Sequence, residues 1–350
     1  MAMLAMVGVC SAPVADGGAS RPVRLAESYR NPVLDSDFPD PDVIRAANGW
    51  YYAYSTESDR AGRHVNIQVE RSRDLVQWED LGDALPLLPS WGDQAVVSWA
   101  PEVIARRGAY YLFYSMVPNR LRVAGSHCVA VATSQQPAGP FEPTSTPVYC
   151  GPTLSDIDAS VFHDTATGHW HMYWSSGGDI VTARLASSLT GLAAGAAPTL
   201  LLRRWSATVH RPYEHRVEAP FIIARRDWYY LFYSGNNCCS DPPHYATMVA
   251  RSHRAAGPYH RLEITRPGLS SIILHSNQRW AGPRHISVIT DLARHDWMVF
   301  HAVDTDNPYR PGGHRVVRRM LMDRVVYRDG WPTVAGDAPS IGWTPAPVTR

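Results

Sequence analysis

Five times along this 350-residue chain a short loop runs into an apolar stretch and then a dense aromatic cluster, at an interval of about 60 residues. The copies read DPDVIRAANGWYYAYST, APEVIARRGAYYLFYS, DASVFHDTATGHWHMYWSS, APFIIARRDWYYLFYSG and HISVITDLARHDWMVFHA. Their aromatic clusters begin near Trp50, Tyr110, Trp170, Trp228 and Trp297. Aligned on the apolar runs, the copies share a lead column just before each run. It holds Asp40, Ala100, Asp158, Ala219 (with Glu218 one step earlier) and His285. Ionisable groups recur where a bland loop would need none.

Each unit contains several β-branched or aromatic runs split by Gly, Pro and Asp turns, with no long stretch of helical period. In the fourth unit IIAR, WYYLFYS, YATMVARS and YHRLEI read as four successive strands of a meander. A lone four-stranded sheet cannot bury both faces, and radial stacking supplies the missing neighbours. The expected fold is therefore all-β, a five-bladed β-propeller with four-stranded antiparallel blades over about residues 31–335. A β-sandwich would leave the five-fold repeat unexplained. In a propeller the first strand of each blade lines the central channel, so the lead column converges on the axis. Asp40, Asp158, Glu218 and His285 come from four blades and should face one cavity. Like charges gathered in this way are destabilising, which marks the group as functional.

Composition narrows the partners. The 33 basic and 32 acidic residues leave a net charge of +1, which argues against nucleic acid or an anionic membrane reached by bulk charge. Twelve Trp and 17 Tyr offer flat apolar faces, most for blade cores and some for stacking on sugar rings. Residues 1–25 pass from apolar to small to polar, like the end of an export signal, although no basic residue precedes the apolar run. A secreted protein is expected. Cys10 sits in no convincing lipobox, because Val9 stands where a small residue belongs. Of the other cysteines, Cys128 and Cys150 flank the last part of the second blade and can bridge. The vicinal Cys238 and Cys239 can bond to each other or stay free. The 15 residues after 335 are expected as a tail, too short for a carbohydrate-binding module. Oligomeric state is not legible.

NPVLDSDFPDPDVI, SWAPEVI, DIDASVF, VEAPFII, AGPRHISV and RRMLMDRVVYRDGWP, in this order and spacing, resemble glycoside hydrolase family 43 across residues 31–335. The resemblance implies a five-bladed propeller of inverting enzymes acting on arabinose-, xylose- and galactose-containing polysaccharides. Carried over by motif, Asp40 in FPDPD is the general base, Glu218 in VEAP the general acid, and Asp158 in DIDAS the carboxylate that orients the acid and raises its pKa. An inverting glycosidase needs this division, one carboxylate activating water and another protonating the leaving oxygen across a gap of roughly 6.5–9.5 Å. Trp99 in SWAPE matches an aromatic set against the sugar, with a blade-core indole as the plain alternative. His285 matches an axial histidine that holds calcium through waters; a channel histidine bonded to water and backbone is the equal alternative. No cofactor is expected to be required, since a hard cation prefers oxygen ligands and one imidazole builds no tight site. Of Arg318 and Arg319, alternation sends only one inward, and Arg319 is preferred. Ala159 and Arg284 stand where the family commonly has proline and glycine; Arg284 can narrow the channel mouth or contact substrate.

Other ionisable residues carry plainer readings. Asp42 shares the strand face of Asp40 but lies outside the lead column. His169 and His171 read as satisfied strand histidines. His210, Glu214 and His215 lack the helix that a metal site at that spacing needs. The leading expectation is an exo-acting α-L-arabinofuranosidase, with β-xylosidase, endo-arabinanase or galactan-cleaving activity open. A non-catalytic sugar-binding propeller would require a missing carboxylate, and none is missing.

Overall fold

A computed structural model of the chain describes residues 26–60, 62–95, 98–119, 126–205, 213–238, 243–265, 270–310 and 313–350. The leader expected within residues 1–25, with Cys10, and also His210 and Cys239 lie outside the described residues. The architecture is nearly all strand, in five antiparallel blades. Blade 1 runs through Asp42–Arg45, Tyr51–Ser55, Gln68–Ser72 and Trp78–Asp83. Blade 2 comprises Trp99–Arg106, Ala109–Met116, Cys128–Ser134 and Glu142–Pro143. Blade 3 comprises Asp156–Asp164, His169–Ser176, Asp179–Arg184 and Thr199–Leu202. Blade 4 comprises Val217–Arg225, Trp228–Asn237, His244–Ser252 and His260–Arg261, with Ile272–Leu274 also paired to its third strand. Blade 5 comprises Trp280–Thr290, Asp296–Asp304, Arg318–Arg328 and Trp331–Val334.

The aromatic clusters are the second strands, and alternation explains their density. A blade in a closed ring buries both faces, so successive side chains must both be apolar. Tyr51 and Ala53 pack toward blade 5, while Tyr52 and Tyr54 pack toward blade 2. Tyr230 and Phe232 face blade 5, whereas Leu231 and Tyr233 face blade 3. Five hydrophobic clusters result, one in each gap between neighbouring blades. Each fully buried aromatic contributes about 1.5–3 kcal/mol relative to exposure.

The ring closes through the chain ends rather than through a shared blade. Ser28–Tyr29 pairs with Thr344–Pro345, so the segment after residue 335 returns to the fold. Phe38 donates its amide to Arg318 O at 2.8 Å, Val33 donates to Met320 O at 3.0 Å, and Arg310 reaches Asp37 at 2.7 Å. These contacts fasten the N-terminal segment along the third strand of blade 5, next to Asp40. Cys128 and Cys150 form a disulfide, as their places in blade 2 allow.

Candidate active site

The lead column has a backbone signature. Asp40, Ala100, Asp158, Ala219 and His285 all adopt left-handed φ values between 50° and 58°. In blades 2 to 5 the register slips at this point, a bulge that turns the first strand. A non-glycine residue in this region costs roughly 1–3 kcal/mol, so the surroundings must hold it. A ring of hydrogen bonds does so. Each amide N–H of the column donates to a side chain of the preceding blade: Ala100 to Thr56 (2.8 Å), Asp158 to Ser115 (3.1 Å), Ala219 to Asp158 (3.2 Å), His285 to Ser234 (3.0 Å) and Asp40 to His301 (2.8 Å). Thr56, Ser115, Ser234 and His301 occupy equivalent places at the ends of second strands. Ser175 fills the same place in blade 3, but Asp158 Oδ2 takes the Ala219 amide, and the buried Ser175 hydroxyl has no partner among the described residues. Asp158 thereby holds the backbone immediately after Glu218.

The column and the residue before it wall a cavity of about 990 Å³. Asp40, Asp158, Glu218, His285, Trp99 and Arg284 all line it. Asp40 Oδ2 accepts from the Thr56 hydroxyl at 2.6 Å, while Oδ1 lies 3.3 Å from His285 Nδ1. Arg318 Nη1 lies 3.8 Å from Oδ2. Burial alone would raise the Asp40 carboxyl, but His285, Arg318, His301 and the Thr56 hydrogen bond hold it well below the usual carboxylate range. Burial pushes both imidazoles below their ordinary value. At neutral pH both are therefore uncharged: His285 turns Nδ1 to the Asp40 carboxylate, His301 accepts the Asp40 amide hydrogen at its own Nδ1, and Arg318 supplies the full positive charge.

The other two carboxyls move oppositely. Burial, then the charges of Glu218 and Asp40, push Asp158 well above its ordinary value. Burial also raises Glu218, against the pull of Tyr245, Arg216 and Arg284. Tyr245 donates its hydroxyl to Glu218 Oε1, and Arg216 Nη1 lies 3.6 Å from Oε2. Asp158 and Glu218 thus retain a proton between them at a pH where Asp40 is ionised. A carboxylate and a carboxylic acid in one cavity are the acid–base set that bond hydrolysis requires.

Trp99 stands in the cavity wall, its ring 4.1 Å from that of His127, rather than in a blade cluster. The preference for Arg319 is corrected. Arg319 turns away to Asp35 (2.5 Å) and Asn307 O (2.9 Å), and its neighbour Arg318 lines the cavity, because alternation along Arg318–Arg328 points only one of them there. Asp42 is also separate from the cavity, its Oδ2 accepting the Val103 amide of blade 2 at 2.8 Å. His171 is buried in its strand and His169 is exposed. Glu214 is spent on Arg261 (2.8 Å) and Tyr233 (2.5 Å). Sequence reasoning missed Thr56, Arg216, Tyr245, His301 and Arg318. A second aligned column, Thr56, Ser115, Ser175, Ser234 and His301, would have flagged Thr56 and His301; no comparable signal marks Arg216 or Tyr245.

The donors do not fit a directly ligated calcium. No group of three or more His, Cys, Asp or Glu among the described residues is arranged to hold a metal. His285 also directs Nδ1 to Asp40, leaving only Nε2. His301 accepts an amide hydrogen at Nδ1, so its proton sits on Nε2, buried without a partner among the described residues.

Residues 29–332 match the family described as glycosyl hydrolases family 43. The chain is 30% identical over 336 residues to a probable arabinan endo-1,5-alpha-L-arabinosidase A of Aspergillus clavatus, covering 89% of this chain and 95% of the relative. It is 26% identical over 317 residues to an extracellular exo-alpha-(1->5)-L-arabinofuranosidase of Cellvibrio japonicus, covering 85% and 86%. Among solved structures, a thermostable family-43 glycoside hydrolase superposes with a TM-score of 0.74 at 27% identity, over 92% of this chain and all of the other. An alpha-L-arabinanase of Cellvibrio cellulosa, complexed with arabinohexaose, shares the fold with a TM-score of 0.69 at 24% identity, over 86% and 96%.

Proposed function

The chain belongs to glycosyl hydrolases family 43 and is a glycosidase that hydrolyses O-glycosyl bonds, and from that premise we propose that it is an inverting, exo-acting enzyme on α-L-arabinofuranosyl residues. The observation that carries the mechanism is the placement of Asp40 and Glu218 in one cavity, the first carboxyl held down and the second pushed up, with Asp158 tied to the amide that follows Glu218. Asp40 takes a proton from water as the water oxygen bonds to the anomeric carbon. Glu218 protonates the glycosidic oxygen as its bond to that carbon breaks. Attack opposite the leaving group inverts the anomer. Asp158 orients Glu218 and keeps it protonated, and Trp99 offers a face to the sugar.

Arabinose specificity draws support from the two relatives, both named for arabinose-containing linkages. Exo action draws support from one wall of the cavity. Arg315 pairs with Glu57, just after the second strand of blade 1, at 3.0 Å, and Arg310 with Asp37, just before that blade, at 2.7 Å, tying the residues before Arg318 to blade 1. His314, Arg315 and Val316 of that segment, with their partner Glu57, line the cavity. The A. clavatus relative, named as an endo enzyme, makes internal cleavage the second reading. Export is part of the same proposal: the C. japonicus relative is named extracellular, and the Cys128–Cys150 disulfide fits an oxidising compartment. No helix among the described residues is long and apolar enough to cross a membrane.

Hydrolysis of linear α-1,5-arabinan, followed by proton NMR from the first turnovers, tests the reading. Exo inversion gives one small product, first as the β-anomer, with slow loss of viscosity. A ladder of products supports internal cleavage, and an initial α-anomer rules out inversion.

A further inference from the structure

Arg284 is the blade-5 counterpart of Glu218: each stands one residue before the lead column, as do Trp99 and Ile157, and all four line the cavity. Its side chain is 6% exposed, and its Nη1 is buried with no hydrogen-bond partner among the described residues. The guanidinium lies 5.0 Å from the centroid of the Tyr245 ring, the ring whose hydroxyl donates to Glu218. It is also within Coulombic reach of both Asp40 and Glu218. A buried, charged donor left unsatisfied is costly, and the neighbouring acceptors are already engaged. Asp40 accepts from Thr56 and faces His285; Glu218 accepts from Tyr245 and faces Arg216. Nη1 itself is closed off from the cavity, but the guanidinium as a whole lines it, so its remaining hydrogens can be offered to a bound ligand. A neutral sugar supplies hydroxyl oxygens, and a guanidinium fixed on an aromatic face can meet one with little loss of side-chain freedom.

We propose that Arg284 is a substrate-recognition residue, donating a hydrogen from the cavity-facing side of its guanidinium to one hydroxyl of the sugar whose bond is cleaved. The proposal rests on the glycosidase reading of the cavity and adds a specificity contact to it. The same charge has a second consequence: Arg284 pulls the Glu218 carboxyl downward. Removing it should move the alkaline limb of the pH–rate profile upward, since Glu218 then keeps its proton to higher pH.

The test is an enzyme–substrate cycle. The wild-type chain, Arg284→Met and Arg284→Lys are assayed on 4-nitrophenyl α-L-arabinofuranoside and its 2-, 3- and 5-deoxy analogues, with melting temperatures as a folding control. A hydrogen bond from a charged donor predicts a loss of about 10- to 100-fold in kcat/KM for Arg284→Met on the parent substrate. On one deoxy analogue that loss should shrink to under about threefold, because the partner hydroxyl is already gone. Arg284→Met should also shift the alkaline limb up, while Arg284→Lys keeps it in place. An equal loss on the parent and all three analogues, or no loss at all, overturns the proposal. If Arg284→Met does not fold, Arg284→Gln carries the same cycle. Should the wild-type chain cleave aryl β-xylosides and no arabinofuranoside, the arabinose reading falls while the cycle runs on deoxy-xylosides and still judges Arg284.

Discussion

Replacing Asp42 by Asn should stabilise the protein far more at pH 8 than at pH 5. Asp42 is 5% exposed, two residues below Asp40, and its carboxylate accepts the Val103 amide. Burial outweighs its amide hydrogen bonds and pushes the carboxyl up to about 7 from an ordinary 3.8. Glu102, which accepts the Val161 amide at 2.6 Å, is pushed well up by burial and by the Asp42 charge. The folded state therefore binds the Asp42 proton more tightly than the unfolded chain. That contribution to stability is complete below about pH 4 and is lost as pH rises through about 7. At about 1.36 kcal/mol per pKa step, the gap amounts to about 4 kcal/mol, of which roughly 2–3 kcal/mol falls between pH 5 and pH 8. Asn keeps an acceptor for Val103 but never ionises. Its packing cost is the same at both pH values, so it cancels from the comparison. For a chain of this size 2–3 kcal/mol corresponds to about 3–5 °C in melting temperature. Urea unfolding or calorimetry of wild type and Asp42→Asn at both pH values measures the difference. A mutational effect equal at pH 5 and pH 8, or more destabilising at pH 8, refutes a buried carboxyl held near neutrality.

The catalytic assignments have their own checks. Asp40→Asn and Glu218→Gln should each abolish hydrolysis of arabinan in a folded protein, but only Glu218→Gln should keep activity on aryl glycosides, whose leaving group needs little protonation; equal losses on both substrates contradict the acid role. Asp158→Asn should lower the alkaline limb of the pH–rate profile, because removing a neighbouring carboxylate lets Glu218 ionise earlier. An unmoved or raised limb removes Asp158 from the acid's environment. Dialysis against EDTA should leave turnover largely intact, with any partial loss restored by calcium acting through waters near His285. Complete loss restored by zinc alone would overturn the carboxylate mechanism.

The ring of blades was legible in the sequence because blade architecture is periodic. A sheet buried on both faces demands runs such as WYYAYS and WYYLFYSG, and turns must part them, so the interval survives as a pattern. The lead column was legible for the same reason: five equivalent left-handed backbone turns place five equivalent residues near the axis, which brought Asp40, Asp158, Glu218 and His285 to one cavity. What the pattern could not carry was which side chains meet across neighbouring strands and loops. Whether Arg318 or Arg319 turns inward depends on the register of the third strand against the second, where a single step exchanges the two faces. Tyr245, on the third strand of blade 4, reaches Glu218, on the first strand of the same blade, across the end of the second strand, and Arg216 meets the same carboxylate through local loop geometry. The opposite shifts of the Asp40 and Glu218 carboxyls are likewise tertiary. All carboxylates begin alike in the chain, and only burial and the neighbours gathered by radial packing hold one down and push the other up.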